Sequence, residues 1–118
     1  INNLIAYYAE LNNKKLINLT PEVVIDMSHA FLRNENTEDA IKILLWAVQL
    51  FPNELNLYHN IGELYQKQHN NSKAIIYYNL YKEKLEQNKE LFSKEQLEDL
   101  KKMIDTRIQN LEKIVFES

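Results

Sequence analysis

Residues 55–88, LNLYHNIGELYQKQHNNSKAIIYYNLYKEKLEQN, follow the same apolar pattern as the 34 residues before them, PEVVIDMSHAFLRNENTEDAIKILLWAVQLFPNE (21–54). At one constant offset Val24 pairs with Tyr58, Met27 with Ile61, Ser28 with Gly62, Phe31 with Tyr65, Ala40 with Ala74 and Leu44 with Tyr78. Large residues match large ones, and small match small. Packing explains the match: two antiparallel helices cross closely only where one side chain is small, while larger neighbours fill the grooves. Ala74 is therefore expected to be buried against the helix that carries Gly62.

Helix boundaries extend outward from this repeat. Residues 2–18 open with Leu4, Ile5, Tyr8 and Leu11 at the spacing of one helical face. Thr20-Pro21-Glu22 reads as a helix start, with threonine as N-cap and proline at the first helical position. Val24, Met27, Phe31 and Leu32 line that helix, and Arg33-Asn34-Glu35-Asn36 ends it. Thr37 is expected to cap the next helix, which Phe51-Pro52-Asn53 stops. A fourth helix is predicted from about Glu54 to Gln68. A fifth follows, capped by Ser72 and running to about Lys84, and Glu86–Leu91 is too polar to continue it. Ser93-Lys94-Glu95-Gln96 matches a capping box ahead of a last helix with Leu97, Leu100, Ile104, Leu111 and Ile114 on one face.

Composition agrees with an all-α chain. Among 118 residues there is one glycine and there are two prolines, too few for the tight reversals of a β fold. The absence of cysteine removes disulfides and thiolate metal sites. A net charge of -3 leaves no basic surplus for nucleic acid, and no apolar run approaches the roughly 20 residues of a membrane span. Glu22, Asp26, Glu35, Glu38, Asp39 and Glu54 face only Arg33 and Lys42 within 21–54, which argues against an acidic partner there. Catalytic motifs are missing: with Gly62 alone the chain has neither a G-x-S-x-G nucleophile elbow nor a glycine-rich phosphate loop. The reading is therefore of a protein that is not an enzyme and holds no cofactor.

The aromatic Tyr58, the Ile61-Gly62 pair, Tyr65, Ala74 and Tyr78, with Phe31, Ala40, Leu44, Ala47 and Pro52 in the first unit, resemble the tetratricopeptide repeat. Val24 and Ser28 depart from the pattern in the first unit. Tyr81 and Glu86 depart from it in the second, which suggests that the array ends there. The resemblance implies a single all-α domain, an antiparallel helix-hairpin stack with an extra helix at each end. Residues 1–20 would form the N-terminal helix, 21–54 and 55–88 the two repeats, and 93–116 a capping helix, polar on its outer side.

In this family the concave surface comes from fixed positions of each first helix. Mapped here they are Glu22, Ile25, His29, Leu32 and Arg33, then Asn56, His59, Glu63, Gln66 and Lys67. Ile25, His29, Arg33, Asn56, His59, Glu63 and Lys67 are the expected peptide-binding set. Some members clamp a terminal carboxylate with lysine and asparagine where this chain has Ile25 and His29. Asn60 alone keeps to that pattern. His29 and His59 with Glu63 lack the spacing of a metal site, so no metal is assigned, and His69 reads as a solvated turn residue. Outward positions of the second helices, normally polar, carry Leu45 and Trp46, then Ile76 and Leu80. Such a cluster is expected to be covered by a terminal helix or a second chain.

The implied function is a protein-interaction scaffold for a peptide or partner protein, with no nucleic acid or membrane as partner. An alternative comes from layout. LIAYYAELNNKK (4–15) and LTPEVVIDMSHAFL (19–32), leading into repeats, are similar to the tail of bacterial putative esterases. On that reading the chain, which opens at Ile1 without methionine, is part of something longer. It would be an appendage that docks on a missing N-terminal catalytic domain or pairs two copies as a homodimer.

Overall fold

A computed structural model describes Asn2–Glu117, so Ile1, the first residue of the expected 1–20 segment, lies outside the described residues. Six α-helices follow one another: α1 (Asn2–Asn13), α2 (Pro21–Arg33), α3 (Thr37–Leu50), α4 (Leu55–Lys67), α5 (Asn71–Gln87) and α6 (Lys94–Glu117). A single 3-10 turn, Lys89–Leu91, precedes α6, and no strand occurs among the described residues. The helices group into two compact units, Ile1–Pro52 and Asn53–Ser118.

The first unit is built on the α2–α3 hairpin. Thr20 caps α2, its hydroxyl accepting from the Val23 amide at 3.2 Å, with Pro21 at the first helical position. Val24 and Ser28 of α2 and Ala40, Ile41, Ile43, Leu44 and Ala47 of α3 are buried. Ser28 stands where the second repeat has glycine. Its hydroxyl donates to the Ile25 carbonyl at 2.6 Å, so the buried oxygen is satisfied within its own helix.

The second unit is the α4–α5 hairpin with α6 packed against α5. Leu57, Tyr58, Ile61, Leu64 and Tyr65 of α4 meet Ala74, Tyr78, Tyr81 and Leu85 of α5, all buried. Gly62 sets the depth of the crossing. A Cβ there would lie 2.6 Å from Cε1 of Tyr78, so only glycine lets this ring in. From α6 come Ile104, Ile108 and Leu111. Ile104 and Leu111 of the expected face are inside, joined by Ile108, while Leu97 and Leu100 are half-buried and Ile114 is exposed.

The turns that end α2 and α4 are copies at the repeat offset. Glu35 and His69 have φ of 59° and 61°, and their amides donate to Leu32 and Gln66 carbonyls at 2.9 Å. The next amides, of Asn36 and Asn70, reach back to Phe31 and Tyr65 at 2.9 Å. These paired bonds make a Schellman motif with a side-chain-bearing residue in the left-handed position. Each asparagine then caps the following helix, accepting from Asp39 at 3.2 Å and from Lys73 at 3.3 Å. The caps are therefore Asn36 and Asn70, not Thr37 and Ser72, because the chain leaves the left-handed residue directly into the next helix.

Three other boundaries shift. Helix α1 stops at Asn13 rather than near residue 18, since Lys15 turns left-handed (φ 58°) and the Leu16 amide closes back on Leu11. Helix α5 continues through Glu86 to Gln87, where Asn88 caps it with its side-chain amide on the Lys84 carbonyl. The Ser93/Gln96 capping box forms as expected, with reciprocal bonds of 3.1 and 3.0 Å. The N-terminal helix does little covering: no residue of α1 is buried, and Leu4 and Tyr7 are exposed.

Candidate functional site

The same helical periodicity that buries Tyr58, Ile61, Leu64 and Tyr65 turns Asn56, Glu63, Gln66 and Lys67 of α4 to solvent, with His59 at the margin. In α2, Glu22, His29 and Arg33 are exposed, and Ile25 and Leu32 half-buried. Each set of mapped first-helix positions therefore lies on a largely open face within its own unit.

On α4 this face is partly engaged by a residue that the repeat pattern does not reach. Arg107, on the inner side of α6, places Nη1 3.1 Å from His59 Nε2 and 4.0 Å from a Glu63 oxygen. His59 Nδ1 lies 3.0 Å from the other Glu63 oxygen. A guanidinium has donors only, so Nε2 accepts and Nδ1 carries the proton that goes to Glu63. The imidazole is thus held neutral in one tautomer. Burial pushes its pKa below the usual histidine value; the Glu63 carboxylate opposes this and the Arg107 charge adds to it.

Aromatic rings floor the cluster. The His59 ring lies 5.2 Å from that of Tyr81 and 6.0 Å from that of Tyr78, and the Arg107 guanidinium sits 5.4 Å above Tyr78. The Tyr78 hydroxyl donates to Gln66 Oε1 at 2.8 Å. Burial raises the Tyr78 pKa, against the pull of Arg107, so the phenol stays protonated. Beside this cluster an open cavity of about 460 Å³ is lined by Glu63, Gln66, Lys67, Tyr78 and Arg107. Helix α6 is anchored by ion pairs at other levels too, Lys82 with Asp105 and Lys101 with Glu86.

This arrangement, hairpins of two antiparallel helices meeting at small residues and followed by a further helix, has a known counterpart among solved structures. The solution structure of a tetratricopeptide repeat domain protein from Salinibacter ruber matches over 74% of this chain and 85% of its own, with a TM-score of 0.61 at 18% sequence identity. The fold is that of a tetratricopeptide repeat domain. No protein-family model matches the chain, and no curated protein matches it.

The outward second-helix residues are not equally covered. Leu45 and Trp46 on α3 are half-buried, as is Leu80 on α5, while Ile76 is 54% exposed. No group of three His, Cys, Asp or Glu side chains among the described residues is placed to hold a metal ion. His69, read as a solvated turn residue, is exposed and also holds the left-handed position of its turn.

Proposed function

We propose that the chain is a non-catalytic interaction module that binds a peptide or partner protein on the exposed face of the first helix α4. One observation carries this reading. The α4 face bearing Asn56, Glu63, Gln66 and Lys67 stays open and polar beside a cavity, although its opposite face is buried. On this face Glu63 pairs with His59 and Gln66 accepts from Tyr78, while Lys67 makes no ion pair among the described residues. His59 contributes through the edge it shares with Glu63, and Ile25, His29 and Arg33 are the corresponding candidate set on α2, within the first unit.

The test is selection from a random peptide display library on the immobilised chain, followed by a paired Asn56→Ala and Lys67→Ala change. Both side chains are exposed, so the melting temperature should hold. Affinity for a selected peptide should fall about fivefold or more, equivalent to about 1 kcal/mol. Unchanged affinity would place the peptide elsewhere.

A further inference from the structure

His59 holds its two ring nitrogens in opposite roles, and only its neutral form can do so. Nδ1 donates to one Glu63 oxygen at 3.0 Å, while Nε2 accepts from Arg107 at 3.1 Å. A proton on Nε2 turns that nitrogen into a donor facing a donor. On the α5 side the ring meets Tyr81 and Tyr78, whose centroids lie 5.2 and 6.0 Å away and whose phenols burial keeps protonated. Glu63 has a second oxygen within reach. It lies 4.0 Å from Arg107 Nη1, beyond a hydrogen bond but within a small rotation of the guanidinium. With side chains 50% and 30% exposed, neither Glu63 nor Arg107 is locked in place by packing. Helix α6 itself is held by other contacts: Ile104, Ile108 and Leu111 are buried, and Asp105 and Lys101 pair with Lys82 and Glu86 of α5.

We propose that His59 and Arg107 form a proton-operated switch: when His59 takes up a proton at Nε2, Arg107 leaves the ring for the second Glu63 oxygen, while α6 stays seated on α5. The proton comes from solvent, to which the His59 side chain is 22% exposed. Attraction of opposite charges drives the second half of the exchange, because Glu63 then lies between two cations. Burial holds the ring's pKa below the ordinary histidine value, so the exchange takes place below about pH 6.5. The Glu63–His59–Arg107 group thereby passes from electrical neutrality to one net positive charge. Glu63 and Arg107 both line the open cavity on α4, so that wall becomes more positive as the medium acidifies. The switch operates whether or not the chain binds a peptide.

The test is a pH titration of the isotope-labelled full chain from about pH 7.5 to 5, observed by NMR. At the upper end the His59 nitrogens should show the proton on Nδ1. The Arg107 Nη–H resonance, sharp only while the guanidinium is hydrogen-bonded, should be visible there. As His59 titrates, that resonance should shift with the same midpoint and stay sharp, while the Ile104 and Leu111 amides hold their positions. In Glu63→Gln the single side-chain oxygen is taken by Nδ1, and the NH2 group faces Arg107. In this variant the Nη–H resonance should be lost as His59 protonates. Arg107→Met removes a charge that opposes protonation, so the His59 midpoint should rise. Unchanged amide spectra away from the cluster verify that each variant folds, and if one does not, the titration of the unsubstituted chain decides alone. Five results would each overturn the proposal: a neutral-pH proton on Nε2, a ring that does not titrate in this range, an Arg107 resonance that ignores the titration or vanishes with it in the unsubstituted chain, its persistence in Glu63→Gln, or a midpoint that fails to rise in Arg107→Met.

Discussion

The two hairpins share a backbone and differ in how their crossings are filled. Their turns repeat hydrogen bond for hydrogen bond at an offset of 34 residues, through Glu35 and His69 and the caps Asn36 and Asn70. Yet α2 crosses α3 with Ser28 and Leu44 buried, while α4 crosses α5 with Gly62 against Tyr78. Removing the Cβ on one helix makes room for a ring on the other, and that ring carries a hydroxyl to Gln66 and a face to Arg107. The second hairpin thus uses its extra depth to build a polar site above an aromatic floor. The first, whose small residue satisfies itself within α2, has no equivalent.

Each unit also has a terminal helix, and these differ most. Ile104, Ile108 and Leu111 of α6 are buried, but no residue of α1 is. Ile104→Ala should therefore destabilise the chain by about 2–5 kcal/mol, the transfer loss plus the cavity left behind. Leu4→Ala, on an exposed face of α1, should stay within about 0.5 kcal/mol. Urea denaturation of both variants checks the pair, and comparable losses would break the contrast between the two terminal helices.

The crossings themselves can be exchanged. Gly62→Ser gives α4 the residue that α2 has at this position, but places its Cβ against the buried Tyr78 ring. A cost of about 1–3 kcal/mol is expected from overpacking. In a Tyr78→Leu background, which imitates Leu44, the same Gly62→Ser change should lose most of that cost. The double-mutant cycle measures this coupling directly. Additive effects would mean that the small and large residues of the repeat are not matched to each other.

The small-to-large pairing was legible because it recurs at one period. Ser28 with Gly62, Ala40 with Ala74 and Leu44 with Tyr78 keep their size relation along the sequence, and periodic packing leaves a periodic trace. Arg107 left none. It lies 48 residues from His59, on a helix outside the repeat, and an amphipathic pattern does not say which neighbour its polar margin will meet. The caps were misassigned for a local reason. Thr37 and Ser72 are good capping residues, but the left-handed Glu35 and His69 deliver the chain to Asn36 and Asn70 first. The open α4 face could be mapped from the repeat; the cavity completed by α6 could not.

The smallest expected effect tests a titratable contact that the second hairpin has and the first lacks. His59 sits where the first hairpin has Ile25, one repeat earlier, which titrates nothing. Glu63 on α4 accepts from Nδ1, Arg107 on α6 donates to Nε2, and the protonated phenols of Tyr78 and Tyr81 on α5 stand beside the ring. Burial, the largest cause, depresses the folded-state pKa of His59, so the folded chain resists its protonation. Well above about pH 6.5, the ordinary histidine value, the imidazole is neutral whether folded or unfolded, and its contribution to stability is complete. As the pH falls below that value the unfolded chain takes up a proton that the folded chain refuses. Stability must then drop until the depressed folded value is passed. Added protonation would also set an N–H of His59 against the N–H groups of Arg107. His59→Gln removes the titration of this ring. The urea midpoint of the unsubstituted chain should therefore fall relative to the variant between about pH 7.5 and 5. A difference that stays flat would show that the Glu63–His59–Arg107 chain is not held in its neutral form. A difference of the opposite sign would mean that Glu63 outweighs burial and that Arg107 does not lie against the ring.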